Sequence, residues 1–182
     1  IRRLMLGINS LIAALMPYLP KWFIQPFAKP YVAGESLDEA IDIVRDLNKQ
    51  GYATTMDILG EFVESKDEAI EIKDAYTQVI QQIAEYGLDS TISVKLTHLG
   101  LGIDADLGES NIMALTQAGK NHGVGVTIDM ENSPYTSQTF DIYKRALSIH
   151  DNMGTVIQAY LTQIQNSKHQ TLIELVRRAS LL

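Results

Sequence analysis

Four residues with charged or amide side chains lie within or just after four apolar segments of this sequence, one for each segment. Lys95, Asp129 and Gln158 lie within three of these segments, and Glu61 lies just after another. A lone ammonium or carboxylate is costly to bury, so we expect Lys95 and Asp129 to compensate each other where the segments meet. These groups either act on a small charged substrate or are purely structural, as a buried ion pair or as a hydrogen-bonded polar layer.

The alternation of side chains along an extended chain indicates which face these residues occupy. Successive residues of a strand point to opposite faces of the sheet, so Ser93 and Lys95 share one face while Val94 and Leu96 share the other. Parity places further residues on the same inward face: Asp57 and Glu61, Thr127 and Asp129, and Gln158. We therefore predict polar groups pointing inward from all four strands and aliphatic groups facing a layer of helices.

Other polar residues near the strand ends suggest weaker hypotheses. His98 is either an acid or base or a loop histidine with ordinary hydrogen bonds, and Glu131 is a candidate for supporting the site only. Asp104, Asp106 and Glu109 resemble a metal-binding loop, but no histidine follows at ligand spacing, so we expect a solvated loop and no metal site. The sequence contains no nucleophile elbow, which argues against hydrolytic catalysis.

Helical segments alternate with the strands that carry these residues. Ser36 with Glu39 and Ser65 with Glu68 form capping boxes that predict two helix starts, and helix capping also explains the similar Glu-Ser dipeptide at residues 109–110. The predicted helices run from Ser36 to near Gly51, Ser65 to Gly87, Asn111 to Asn121 and Thr136 to His150, and the predicted strands are Tyr52–Leu59, Ile92–Leu96, Val124–Met130 and Thr155–Leu161.

This alternation predicts an α/β fold with a parallel sheet, which is either doubly wound or a barrel. The first strand is followed by Leu59-Gly60-Glu61-Phe62, which lacks the glycine-rich fingerprint of a dinucleotide-binding domain. The favoured fold is therefore an incomplete (β/α)8 TIM-type barrel of about four parallel strand-helix units, preceded by N-terminal helices.

Composition narrows the classes of partner. The 182 residues carry a net charge of −7 and 46% hydrophobic residues, which is typical of a globular domain and unfavourable for binding nucleic acid. The lack of cysteine excludes disulfides and thiolate sites, and we expect a cytoplasmic location. The apolar stretch 4–16 predicts an amphipathic packing helix, with peripheral membrane contact as the alternative, and the start at Ile1 suggests a missing N-terminal piece.

The strand segments together resemble those of the proline dehydrogenase family. The similarity is carried by four segments in order: Asp57-Ile-Leu-Gly-Glu61, Ser93-Val-Lys95-Leu-Thr97, Ile128-Asp129-Met-Glu131 and Gln158-Ala-Tyr-Leu161. The resemblance implies FAD-dependent oxidation of L-proline to 1-pyrroline-5-carboxylate, in which the flavin performs the redox chemistry. It also implies that Lys95 and Asp129 are catalytic, that Lys95 binds the substrate carboxylate, that Gln158 binds the flavin and that Glu61 forms a gating ion pair.

The resemblance further implies arginines that clamp the substrate carboxylate, and we expect them beyond Leu182 in a longer protein, since Arg177 and Arg178 do not match the family pattern. We accordingly divide the chain into an N-terminal helical segment (1–35), four barrel units (36–161) and a divergent tail (162–182). The electron acceptor is expected to be a quinone or a soluble carrier. Alternatives are an inactive barrel fragment that self-associates through open sheet edges, and a flavin-free barrel enzyme acting on a small carboxylate.

Overall fold

The computed structural model describes residues 36–158 together with Pro20 and Gly34. Internal contacts divide the chain into two compact units, with the division after Ile43. The second unit contains all the strands in the described range. The predicted N-terminal helical segment (1–35, apart from Pro20 and Gly34) and the predicted tail (162–182) lie outside the described residues, as do the last three residues of the fourth predicted strand.

Four helices and four strands alternate within residues 36–158. In chain order they are α1 (Leu37–Lys49), β1 (Thr54–Asp57), α2 (Lys66–Glu85), β2 (Ser90–Val94), α3 (Ala105–His122), β3 (Val126–Ile128), α4 (Thr136–Leu147) and β4 (Met153–Thr155). The predicted number, type and order of the elements in this range are therefore confirmed.

The strands form one parallel sheet in the order β1-β2-β3-β4. Each strand thus lies beside its neighbour in the sequence, with a helix between them in the chain. A doubly wound sheet reverses its strand order at a switch point, whereas a barrel adds strands in sequence. The sequential order agrees with the predicted barrel-type α/β fold.

The two faces of the sheet differ in the way that side-chain parity predicts. Ile92, Val94 and Leu96 are fully inaccessible to solvent, as is Ile128 on the next strand, because α2, α3 and α4 pack on this side. The opposite face carries partly exposed polar groups: Thr55, Asp57, Thr91, Ser93, Lys95, Thr127 and Asp129. The predicted inward direction is confirmed for Asp57, Ser93, Lys95, Thr127 and Asp129, and the predicted outward direction for Val94 and Leu96.

The strands are shorter than predicted or shifted along the chain. β2 ends at Val94 because the chain turns there: the amide groups of His98 and Leu99 both donate to the carbonyl of Lys95. β4 begins at Met153, two residues before the predicted start, and ends at Thr155. Predicted strand limits at Tyr52, Leu59, Leu96, Val124 and Met130 were likewise too wide. Apolar residues beside a strand extend the sequence pattern without joining the ladder.

The largest error concerns the start of α3. The helix begins at Ala105, six residues before the predicted Asn111, because the Asp104 side chain caps it by accepting hydrogen bonds from the amides of Asp106 and Leu107. The Glu-Ser dipeptide at 109–110 therefore lies inside the helix, and its interpretation as a cap was wrong. By contrast, Ser65 caps α2 by accepting from the amide of Glu68, as predicted. α4 ends at Leu147 rather than His150.

Candidate active site

Charged side chains collect at the carboxyl-terminal edge of the sheet. Asp57 is the last residue of β1, and Lys95 and Asp129 immediately follow β2 and β3. The amide of Asp129 donates to the carbonyl of Val94 at 2.9 Å, which extends the ladder and brings Lys95 and Asp129 side by side on the inward face. Parallel packing thus brings together residues that lie 34 positions or more apart.

Lys95 is the centre of this cluster. Its Nζ lies 3.6 Å from Oδ2 of Asp129, 3.7 Å from Oδ2 of Asp57 and 4.0 Å from Oε1 of Glu61. All three distances are longer than a direct hydrogen bond, so within the described residues the ammonium is held by charge while its donors stay available to a ligand. The Lys95 side chain is 20% exposed, which leaves it reachable from the open face.

The two aspartates use their carboxylate oxygens in the same way. Oδ1 of Asp129 accepts the backbone amide of Met130 at 2.8 Å, and Oδ1 of Asp57 accepts the hydroxyl of Tyr76 at 2.7 Å. In each case the other oxygen, Oδ2, faces Lys95. The ammonium therefore lies between two carboxylates whose orientation is set by separate hydrogen bonds.

Glu61 and Gln158 are less closely tied to this centre. The Glu61 side chain is 57% exposed and makes the longest of the three ion pairs. Gln158 lies three residues beyond the end of β4 and is half-buried, and within the described part of the chain no measured contact joins it to Lys95 or Asp129. The structure thus clusters three of the four predicted site residues and leaves the fourth on the neighbouring strand extension.

Glu131 holds the ends of β2 and β3 together. Its buried carboxylate accepts hydrogen bonds from the amide of Thr97 at 2.9 Å and from the Thr97 hydroxyl at 3.1 Å. Thr97 is two residues beyond Lys95, and Glu131 is two residues beyond Asp129. The hydrogen bonds between Thr97 and Glu131, here called the clamp, therefore hold together the two segments that carry Lys95 and Asp129. Burial raises the pKa of Glu131, and the hydrogen bonds from Thr97 oppose that shift.

His98 fills the space beneath the loop that carries Glu61. Its ring is 5% exposed, and any side chain at Gly60 would collide with its Nε2 and Cε1 atoms. The Nδ1 atom is buried and has no hydrogen-bond partner among the described residues. Burial lowers the pKa of His98, whereas the charges of Asp57 and Glu68 act in the opposite direction. The packing requires glycine at position 60.

The acidic group that resembled a metal loop has a structural explanation. Asp104 caps α3 and forms an ion pair with Lys66, and that hydrogen bond from Lys66 is the main cause of the lowered pKa of Asp104. Glu109 pairs with Arg145 of α4. Among the described residues no three histidine, aspartate or glutamate side chains are grouped as a metal site, and no helix in that range is long and apolar enough to cross a bilayer.

Sequence reasoning missed the part played by Tyr76 and Thr97. The helical spacing of apolar residues along α2 places Tyr76 on the buried face, and a buried tyrosine hydroxyl normally requires a polar partner. That requirement was the signal available in the sequence. Thr97 gave no such signal, because its partner Glu131 is 34 residues away.

The inward face also carries mostly small polar side chains. Barrel interiors are usually filled by bulky valine, isoleucine and leucine side chains, whereas this face carries threonine, serine and glycine: Thr55, Thr91, Ser93, Thr127 and Gly154. Thr55 and Thr91 are hydrogen-bonded to each other at 3.0 Å, and a Cβ at Gly154 would meet the Thr127 hydroxyl at 2.7 Å. This face is therefore lined by small polar groups and not by a packed aliphatic core.

Comparison with known proteins agrees with this geometry. The family model described as proline dehydrogenase matches residues 40–181, a range that includes residues 162–181 of the predicted divergent tail. Proline dehydrogenase 1 of Bacillus subtilis subsp. natto is 40% identical over 134 residues, which are 74% of this chain and 44% of that protein. Proline dehydrogenase of Deinococcus radiodurans is 32% identical over 139 residues, 74% of this chain and 45% of that protein.

Solved structures show the same fold. Proline utilization A from Bdellovibrio bacteriovorus superposes with a TM-score of 0.69 at 23% identity, covering 81% of this chain and 18% of that one. The corresponding protein of Bradyrhizobium japonicum has a TM-score of 0.58 and also covers 81% of this chain. The chain spans less than half the length of the curated relatives it matches. On the family match over most of its residues, the chain belongs to the proline dehydrogenase family.

Proposed function

We propose that this chain provides part of the active site of an FAD-dependent proline dehydrogenase, which oxidises L-proline to 1-pyrroline-5-carboxylate. The observation that supports this most directly is the position of Lys95 between Asp57 and Asp129 at the carboxyl-terminal edge of the sheet. This edge is where barrel enzymes carry their catalytic groups.

Lys95 binds the carboxylate of proline in this proposal. Its ammonium has long contacts to the neighbouring acids, so it can donate hydrogen bonds to an incoming carboxylate without first breaking short ones. The flanking carboxylates of Asp57 and Asp129 fix the direction of the ammonium. The charge of Lys95 thus serves to bind and orient the substrate.

Asp129 and Asp57 supply negative charge to the same site. The three acids around one ammonium leave an excess of negative charge within the described cluster. Proline is a zwitterion, so its cationic amine is attracted by the aspartates while its carboxylate pairs with Lys95. Glu61, on the exposed loop after β1, is assigned to the entrance of the site, where it supports or gates access.

The flavin is assigned to the inward face beside Lys95. The side chains of that face are small and polar, which favours this placement over a packed core, and Gln158 is proposed as a hydrogen-bonding partner of the ring. When bound, FAD accepts the hydride equivalent that leaves the substrate carbon. We further propose that the electron acceptor is a quinone or another carrier and that the protein is cytoplasmic, with contact to the membrane surface. We also propose that the chain divides at residues 35 and 161 and that it self-associates through its sheet edges.

The proposal is tested by flavin binding and proline oxidation in the same preparation. Purified protein should carry or take up FAD, with the absorbance bands of a bound flavin, and proline should bleach those bands and reduce an artificial dye. Addition of FAD with a structural analogue of proline that lacks the carboxylate should give no bleaching.

The alternative outcomes point to different functions. Protein that binds no flavin in the presence of proline would contradict the proposed activity and favour an inactive barrel fragment. Protein that turns over another small carboxylate without flavin would favour a different barrel enzyme. Size-exclusion chromatography in the same buffers tests self-association, which is expected to hide the sheet edges formed by β1 and β4.

A further inference from the structure

A buried tyrosine hydroxyl touches the carboxylate beside Lys95. Tyr76 lies in the middle of α2 and its side chain is fully buried. Its hydroxyl donates to Oδ1 of Asp57 at 2.7 Å and accepts the backbone amide of Ile58 at 3.1 Å. The other buried residues of α2 are aliphatic, so this hydroxyl is the polar link between that helix face and the end of β1.

We propose that Tyr76 is a positioning residue for Lys95 and acts through Asp57. The hydroxyl fixes one oxygen of Asp57 and thereby turns the other, Oδ2, towards the ammonium 3.7 Å away. The use of Lys95 for a substrate carboxylate rests on the proposed function. The positioning itself is a property of the described residues.

The need for this hydrogen bond follows from the exposure of Asp57. Its side chain is one-third exposed, so water is available to compete for its oxygens and the carboxylate would otherwise rotate. Asp129 has an anchor within its own loop, the amide of Met130, whereas the anchor of Asp57 comes from a helix. Lys95 therefore depends on α2 for one of its two oriented partners.

The protonation state of the Tyr76 hydroxyl agrees with its role as a hydrogen-bond donor. Burial raises the pKa of Tyr76 well above its usual range, and the hydrogen bond to Asp57 raises it further. The group consequently stays protonated and continues to donate. A phenylalanine at this position keeps the buried ring and removes only the donor and acceptor.

The experiment compares Tyr76→Phe with a matched control. Tyr143→Phe removes the hydroxyl of another buried tyrosine, which contacts the carbonyl of Met153 at the opposite end of the sheet. The readout is trace acetylation of Lys95 by acetic anhydride, measured by mass spectrometry relative to Lys120 on the exposed side of α3. Tyr76→Phe should raise the relative rate at Lys95 by about threefold or more, and Tyr143→Phe should leave it unchanged.

A double-mutant cycle tests whether the effect passes through Asp57. Asp57→Asn should itself raise the acetylation of Lys95, and adding Tyr76→Phe to it should change nothing further, because the carboxylate that the hydroxyl orients is gone. An unchanged rate in Tyr76→Phe, or an equal effect in both backgrounds, would overturn the proposal. If Tyr76→Phe fails to fold, an unchanged Lys95 rate in Asp57→Asn overturns it alone.

Activity measurements separate this proposal from the proposed function. In flavin-loaded protein, Tyr76→Phe should raise KM for proline by about threefold or more with a smaller change in kcat, because a displaced Lys95 weakens binding. The labelling needs neither flavin nor proline. Wild-type protein without proline oxidation would contradict the proposed function, whereas coupled labelling would still support the positioning role.

Discussion

The two ends of the sheet hold polar groups by different means. At the carboxyl-terminal end, Lys95 is surrounded by charged groups at 3.6 to 4.0 Å. At the amino-terminal end, Asn48 donates to the carbonyls of Tyr52 and Asp89 at 2.8 and 3.1 Å and accepts the Asp89 amide at 2.9 Å. The first arrangement leaves donors available, and the second uses them all.

This difference separates function from stability in a physically simple way. Short hydrogen bonds between a neutral side chain and the backbone stabilise the fold and offer nothing to a ligand. Ion pairs longer than a hydrogen bond give less stability, but their groups can still bind. In barrel enzymes the amino-terminal face generally serves stability and the carboxyl-terminal face serves catalysis.

The largest effect is expected from replacing the lysine at the carboxyl-terminal end. Lys95→Met should lower kcat/KM for proline by roughly 10²–10³, the usual cost of removing one preorganised charge from an active site. The free energy of unfolding should change by only about 1 kcal/mol, because the lost ion pairs are long and partly exposed. Dye-coupled assays and urea unfolding measure the two quantities.

Lys120→Met is the matched control at an exposed position on α3, and it should retain full activity. A Lys95→Met protein with normal kcat/KM would contradict a functional role for the carboxyl-terminal end of the sheet. A loss of several kcal/mol in stability would instead show that the cluster is mainly structural.

A smaller effect with the opposite balance is expected at the amino-terminal end. Asn48→Ala should lower the free energy of unfolding by about 2 kcal/mol, because three hydrogen bonds to backbone groups are lost together. Activity per folded molecule should stay unchanged. Urea unfolding followed by circular dichroism measures the free energy of unfolding. A free energy that the substitution leaves unchanged would contradict the stabilising role of Asn48.

The hydrogen bonds from Thr97 to the buried Glu131 carboxylate, which join the ends of β2 and β3, predict that the free energy of unfolding depends on pH. Burial raises the pKa of Glu131 above its ordinary value of 4.5, so the folded chain keeps this proton to higher pH than the unfolded chain. Its contribution to stability is therefore present below pH 4.5 and is lost as the pH rises through the folded pKa. Glu131→Gln should lose this part of the pH dependence between pH 4.5 and 7.

The matched control is Glu85→Gln at the exposed end of α2, which should keep the wild-type pH dependence. Urea unfolding at the two pH values measures the difference. A Glu131→Gln protein whose stability follows the wild-type curve would show that the clamp does not sense pH.

The smallest effect is expected from His98, and its dependence on pH has the opposite sign. Burial lowers the pKa of His98 below 6.5, so the unfolded chain takes up the proton first. Stability is full above about pH 6.5 and declines as the pH falls towards the folded pKa. Facing charges of Asp57, Glu68 and Glu61 reduce the shift. His98→Gln should flatten this decline in thermal melts at pH 7 and 5.5, and an unaltered slope would contradict it.

The sequence allowed the helix and strand order of residues 36–158 to be predicted because it depends on local patterns. Apolar periodicity and the Ser65 cap act within a few residues. The start of α3 was predicted wrongly because Asp104 was considered as an acidic loop residue and not as a cap. The strand limits failed because pairing with the neighbouring strand decides them, as at Val94, where the turn formed by Lys95 and His98 ends β2.

What the sequence by itself determined is the inward face of the sheet. Strand parity alone separates Lys95 and Asp129 from Val94 and Ile128, since alternation is a geometric property of any extended chain. The polar residue types on that face, and their order along the chain, were sufficient to indicate the family.

Only the tertiary structure decided how those groups are held. The hydrogen bonds from Tyr76 to Asp57 and from Thr97 to Glu131 join residues 19 and 34 positions apart. No local pattern encodes such contacts, because the strand register and the packing of α2 set both distance and direction. The fold thereby places one ammonium between two oriented carboxylates at the carboxyl-terminal end, and leaves the opposite end to hydrogen bonds that stabilise it.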